Sequence, residues 1–138
     1  MDPQHIELVQ ASFAKVAPVA DQAAMIFYDE LFERDSSLQS LFPSDLTEQR
    51  RKLMTMLGVA VNGLADWQIV RPIVASLGAK HVGYRVQPQH YATVGAALLA
   101  TLGKGLGPDF TPEVEAAWTE VYAALSGEMQ RAAATAAI

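Results

Sequence analysis

Cysteine is absent from the 138 residues. That removes disulfides, thiolate metal sites, cysteine nucleophiles and iron–sulfur clusters, and any cofactor tethered through a C-x-x-C-H motif. No apolar run approaches the roughly 18 residues that cross a bilayer. The longest, such as Val94 to Leu102, is short and carries Gly and Thr, so no membrane partner is expected. Met1-Asp2-Pro3-Gln4-His5 lacks the basic region of a signal peptide, and the expected location is cytoplasmic. Lys and Arg number 10 against 15 Asp and Glu, for a net charge of −5. The cations are scattered without a basic stripe, so a nucleic acid partner is not expected either. Strand-like alternation, repeats and linkers are also missing. What remains is a chain that is 51% hydrophobic and long enough for one domain, 1–138, with its own core.

Apolar residues recur at helical spacing throughout. Asp2 caps a first helix with Pro3 at its first position, and Ile6, Val9, Phe13 and Val16 form its stripe. Pro18 interrupts. A second helix is expected from about Val19 to Glu33, with Met25, Tyr28 and Phe32 on one line and Phe27 and Leu31 beside it. Ser36 to Phe42 reads as a short helical turn closed by Pro43. A long helix from about Asp45 or Leu46 to Leu64 follows, its inner stripe Leu46, Leu53, Leu57 and Leu64. Gly63 to Asp66 reads as a loop. Trp67 opens the next segment, with Pro72 in the first turn of its helix and Gly83 at its stop. Pro88 starts a helix lined by Tyr91, Val94, Leu98 and Leu102, where Gly95 and Ala96 allow a crossing helix to come close. Gly103, Gly105, Gly107 and Pro108 read as a loop. Thr111-Pro112-Glu113 opens the last helix, with Val114, Trp118, Val121, Leu125 and Met129 inward. The Ala-rich tail from Arg131 is expected to fray. Six longer helices and one short one, joined by short loops, define an all-α domain.

Three side chains stand out on these apolar faces. Val70, Val74, Leu77 and His81 fall at i, i+4, i+7 and i+11, so His81 points inward. An inward imidazole is either a core histidine bonded to carbonyls or a metal ligand, and periodicity does not separate the two. Tyr28 lies on a buried face, where its hydroxyl needs a partner. Gln49 lies one turn before Leu53 on the same face. A hydrolase is hard to assemble: His5 sits at a terminus, His90 begins a helix, and Asp29-Glu30 reads as solvated helix face.

Together, Phe27-Tyr28-x-x-Leu31-Phe32, Leu41-Phe42, Gln49-x-x-x-Leu53 and Lys80-His81 follow in order on successive helices. This pattern resembles the bacterial single-domain globins of the Vitreoscilla haemoglobin type and the globin domain of flavohaemoglobins. Arg51-Lys52-Leu53-Met54, His90-Tyr91 and Ala116-Ala117-Trp118-Thr119-x-Val121-Tyr122 extend the resemblance over essentially the whole chain. It implies the globin fold with non-covalent haem b in a cleft. His81 matches the proximal iron ligand and Phe42 the aromatic packed on the porphyrin. Tyr28 and Gln49 match the distal polar pair. Phe27, Leu53, Leu57 and Val94 match the apolar wall, Tyr91 a tyrosine near the proximal histidine, and Lys80 a partner of a haem propionate.

The resemblance implies reversible binding of O2, CO and NO at a pentacoordinate iron. Two hydrogen-bond donors beside a partly anionic ligand favour retention, which suits NO dioxygenation. The chain has no room for a reductase domain, so turnover needs electrons from a separate partner. A gas sensor or ligand shuttle without turnover is the alternative, and a monomer or weak homodimer is expected. One position departs from the flavohaemoglobin pattern. The glutamate that backs the proximal histidine there is matched by Ala133, with Glu128 more than a turn earlier.

Overall fold

The computed structural model describes residues 2–83 and 86–136, with side chains at 2–80 and 86–134. Among these residues there are six α-helices and no strand: α1 Pro3–Val16, α2 Ala20–Arg34, α3 Thr47–Asn62, α4 Trp67–Gly83, α5 Pro88–Leu106 and α6 Pro112–Ala136. Single 3-10 turns cover Ala17–Val19, Ser36–Leu41, Leu64–Asp66 and Gly107–Asp109. The all-α expectation therefore holds, with more short turns than the one foreseen. None of the described helices is long and apolar enough to cross a membrane by itself.

The helix starts follow their capping residues. Asp2 Oδ1 accepts the Gln4 N–H at 2.8 Å, and Pro3 fills the first helical position. The same end is pinned to α6. The Asp2 N–H donates to Glu120 at 3.0 Å, and His5 pairs with the other Glu120 oxygen. The Asp2 N–H first, then His5, holds the Glu120 carboxyl below its usual range. At α5 the Gln87 N–H donates to His90 Nδ1 at 2.9 Å, so His90 serves as a helix cap.

Two apolar clusters result. The larger gathers Val9, Phe13 and Val16 of α1 with Val70, Val74, Leu102, Val121 and Leu125 around Trp118, which is 1% exposed. The buried indole N–H donates to Ser12 Oγ at 2.8 Å, and Ser12 donates onward to the Leu8 carbonyl at 2.7 Å. The Trp118 indole and the Ser12 hydroxyl thus both have partners inside, which offsets the penalty of burying them. The smaller cluster joins α2 to α5 through Phe27, Tyr28, Leu31, Leu38 and Ala97.

Several sequence expectations change. Met25 is 52% exposed, because α2 turns the neighbouring line of Phe27, Tyr28 and Leu31 inward. Glu30 is buried, not solvated, and pairs with Lys104 of α5 and Arg34. Pro72 lies inside α4, five residues past its start. Its missing N–H leaves the carbonyl of Gln68 without a helical partner, on a residue that faces solvent. The helix α5 runs on through Gly103 and Gly105, since Leu102 and Leu106 are both buried one turn apart. The turn comes at Gly107, whose φ of +55° suits glycine. Ala96 is exposed, while Gly95 is the point of close approach: a Cβ there would fall 2.7 Å from the Tyr122 ring. The tail stays helical to Ala136, as its alanines favour.

The main packing of α4 is along α6, not on α3. Gly78 permits this, because a Cβ at that position would lie 2.2 Å from the Met129 carbonyl oxygen.

Candidate ligand-binding site

The smaller cluster contains Tyr28, one of the polar side chains singled out in the sequence. Tyr28 is 3% exposed, and the side chain of Gln49, in the first turn of α3, acts on its hydroxyl. Burial pushes the phenol pKa up, while Gln49 and then the Arg50 charge pull the other way. The phenol therefore stays protonated at neutral pH and keeps its proton to donate. Tyr28 is not the carbonyl-bonded core tyrosine that periodicity alone would allow.

Aromatic rings surround this hydroxyl-bearing side chain. Phe27 meets the Tyr28 ring edge-on at 5.1 Å between centroids, and Phe42 does so at 5.5 Å. Phe32 completes the group, 5.7 Å from Phe42. Phe42 arrives from the end of the Ser36–Leu41 turn in extended backbone, where its N–H bonds the Gln39 carbonyl at 3.2 Å. Leu53 of α3 and Val94 of α5 pack half-buried against the same cluster. Leu57 instead packs against the larger core, and with Phe27 and Leu53 it lines an apolar void that reaches Phe13, Leu98 and Leu102. The inner line of α3 stays half-covered at Leu46, Leu53, Met54 and Leu57, whereas Val61 near its end is fully buried.

The other expected residues are distributed differently. Tyr91 is buried on α5, and its carbonyl accepts the Tyr122 hydroxyl at 2.6 Å. Burial raises the pKa of both phenols. Lys80 is exposed at the C-terminal end of α4. The backbone of His81 belongs to α4, and its side chain lies outside the described residues. Among the described residues, no group of three or more His, Asp or Glu could hold a metal ion.

Glu128, the acid more than a turn before Ala133, is engaged by two arginines. It is bonded to Arg71 at 2.8 Å and paired with Arg131. Arg131 is the largest influence and depresses its pKa, burial opposes this, and Arg71 adds to the lowering. Arg71 precedes His81 by ten residues, roughly 15 Å along a helix. Ala133, half-buried on α6, offers no side-chain acceptor.

Arg50 escaped the sequence reading. It is half-buried, directly after Gln49, and its charge reaches both Tyr28 and Asp45. In sequence it is one cation in the run Arg50-Arg51-Lys52, and only packing sets it apart.

The arrangement is that of an all-helical protein with a buried phenol among aromatic and aliphatic side chains and a half-buried amide beside it. The chain belongs to the globin family, which it matches as "Globin" over residues 26–129. It is similar to the neuroglobin of Tetraodon nigroviridis, 28% identical over 139 residues, covering 91% of this chain and 87% of that protein. It is also similar to the neuroglobin of Danio rerio, 29% identical over 121 residues, covering 78% and 76%. Family membership implies haem and a small gas ligand such as O2. The described residues suit such a group in their chemistry. The apolar faces of α3 and α5 are half-covered, as a flat apolar cofactor requires, and two neutral donors stand among them.

Proposed function

We propose that the protein is a single-domain globin of the bacterial kind, holding haem b non-covalently and binding O2 tightly, with CO and NO as further ligands. When bound, the haem supplies the iron at which these gases are held. His81 is the residue that anchors it, Phe42 packs on its face, and Leu53, Leu57, Phe27 and Val94 form its apolar wall. Tyr91 and Lys80 flank it at the proximal side and at a propionate. The observation that carries the reading is the buried Tyr28 among the rings of Phe27, Phe32 and Phe42, with Gln49 acting on its hydroxyl. Both groups can turn a donor toward a ligand that gains partial negative charge. Each such bond contributes roughly 1.5–3 kcal/mol before losses.

Retention of O2 favours NO dioxygenation, in which NO and O2 combine with one electron to give nitrate. A separate reductase supplies the electron. Ala133 leaves the proximal side without a carboxylate, so imidazole gains no extra electron donation. That favours ligand binding over O–O cleavage. The test is an absorption series on purified protein: ferric, reduced, reduced with CO, and reduced with air. A Soret band that shifts with CO is expected, and its loss in His81→Ala. A colourless protein that takes up no added haem would falsify the reading.

A further inference from the structure

Glu30 is a buried carboxylate on α2, and both of its oxygens are taken. Oε1 pairs with Lys104 of α5, and Oε2 pairs with Arg34, one turn on in α2. The Arg34 guanidinium also donates to the Glu30 carbonyl at 3.4 Å. Phe27, Glu30 and Arg34 fall at i, i+3 and i+7, so they share one face of α2. On α5 the facing line is Ala97, Thr101 and Lys104, at i, i+4 and i+7. Ala97 shares the smaller cluster with Phe27, and Thr101 is buried with its hydroxyl on the Ala97 carbonyl at 2.7 Å. Lys104 meets Glu30 at the end of that line. The two helices thus meet through an apolar contact and a charged one. Tyr28 is turned about 100° from Phe27 around α2, toward the rings of Phe32 and Phe42.

We propose that the Glu30–Lys104 pair is a positioning device for Tyr28: it fixes the rotation of α2 on α5, and so the direction in which the phenol is presented to a gas ligand. This rests on the haem reading above. Apolar contact is non-directional and tolerates rotation of one helix on another. A carboxylate with both oxygens engaged by cations is directional. A buried pair of this kind adds little net stability over an apolar replacement, and setting register is its better attested use. The lever is long. At the roughly 5–6 Å radius of a helix with its side chains, a rotation of about 10° carries a side-chain tip about 1 Å, enough to lose a hydrogen bond. Arg34 pairs within α2 and has no bearing on the angle, whereas Lys104 comes from the other helix. Glu30 and Lys104 are positioning residues that act through Tyr28.

The experiment measures O2 and CO release from the reduced haem-loaded protein by stopped flow. The Lys104 side chain is 61% exposed, so Lys104→Gln spares the core. It is expected to speed O2 release about three- to tenfold and to leave CO release within about twofold, because bound CO gains little charge for a phenol to meet. Lys104→Arg keeps the pair and restores the parent rate. Arg34→Gln changes neither rate. In a Tyr28→Phe background Lys104→Gln has no further effect, since a residue that acts through the hydroxyl cannot act once it is gone. The ring resonance of Tyr28, assigned by its loss in Tyr28→Phe, is expected to shift in Lys104→Gln and to return in Lys104→Arg, with or without haem. An unchanged O2 rate or an unmoved resonance in Lys104→Gln overturns the proposal and leaves the haem reading intact. So does an effect that persists in Tyr28→Phe, an equal effect of Arg34→Gln, or an equal rise in CO release. Absence of a Soret band in the parent protein removes the haem reading, and the Tyr28 resonance then decides by itself whether the pair orients the phenol.

Discussion

The ring of Tyr28 on α2 meets that of Phe42 edge-on at 5.5 Å inside a cluster of aromatic and aliphatic side chains, and Gln49 of α3 acts on its hydroxyl. Two helices separated by the Ser36–Leu41 turn thus bring a phenol and an amide side by side. Neither residue could do this alone. A buried phenol needs a partner, and an amide at a helix start ordinarily turns to water.

Removing both donors tests what they are for. Tyr28→Phe with Gln49→Leu is expected to speed O2 release ten- to a thousandfold, from roughly 1.5–3 kcal/mol per bond before losses. Stopped-flow release of O2 from the reduced protein measures it. An unchanged rate removes the distal-pair argument and leaves the fold untouched.

Two glycines in long helices should respond with opposite signs. Gly78→Ala places a Cβ 2.2 Å from the Met129 carbonyl oxygen and 2.5 Å from its Cα, and backbone cannot step aside as a side chain would. A loss of about 3 kcal/mol is expected as α4 and α6 are pushed apart. A Cβ at Gly127 of α6 meets nothing within 4 Å. Gly127→Ala is expected to stabilise by up to about 1 kcal/mol through helix propensity. Urea unfolding of the two variants checks both signs, and similar midpoints would show that α4 does not lie on α6 this way.

Glu30 gives the fold a pH dependence. Its pairs with Lys104, first, and Arg34 hold the carboxyl below the ordinary 4.5. A carboxylate whose pKa is lower folded than unfolded contributes its full stability above the unfolded value. The contribution is lost as pH falls through the folded value. Thermal unfolding of the parent should therefore drop between about pH 5 and the acid limit by more than that of Glu30→Gln. Parallel curves for the two proteins would mean that the Lys104–Glu30–Arg34 group does not link α2 to α5 in solution.

Much of this architecture is written in local sequence. Asp2-Pro3 and Thr111-Pro112 mark helix starts because a cap and an N1 proline act within a few residues. The face of each helix follows from 3.6-residue spacing. Tyr28, Gln49 and Phe42 are legible as inward groups for the same reason. The absence of cysteine also excludes any covalent attachment of haem through that residue, whatever the fold.

Which inward group meets which was decided only by packing between distant helices. Met25 and Phe27 are both apolar, yet α5 covers one and leaves the other in water. Gly103 and Gly105 look like loop residues until Leu106 is buried one turn beyond Leu102. Glu30 reads as a solvated acid until Lys104, 74 residues later, arrives beside it. Glu128 reads as one more acid on the last helix until Arg71, 57 residues earlier, and Arg131 pair with it. Arg50 is indistinguishable from Arg51 in sequence, and only the approach of α2 gives its charge a neighbour in Tyr28. Helical periodicity fixes a direction about one axis. The identity of the partner depends on how that axis lies against the others, and no local pattern carries that information.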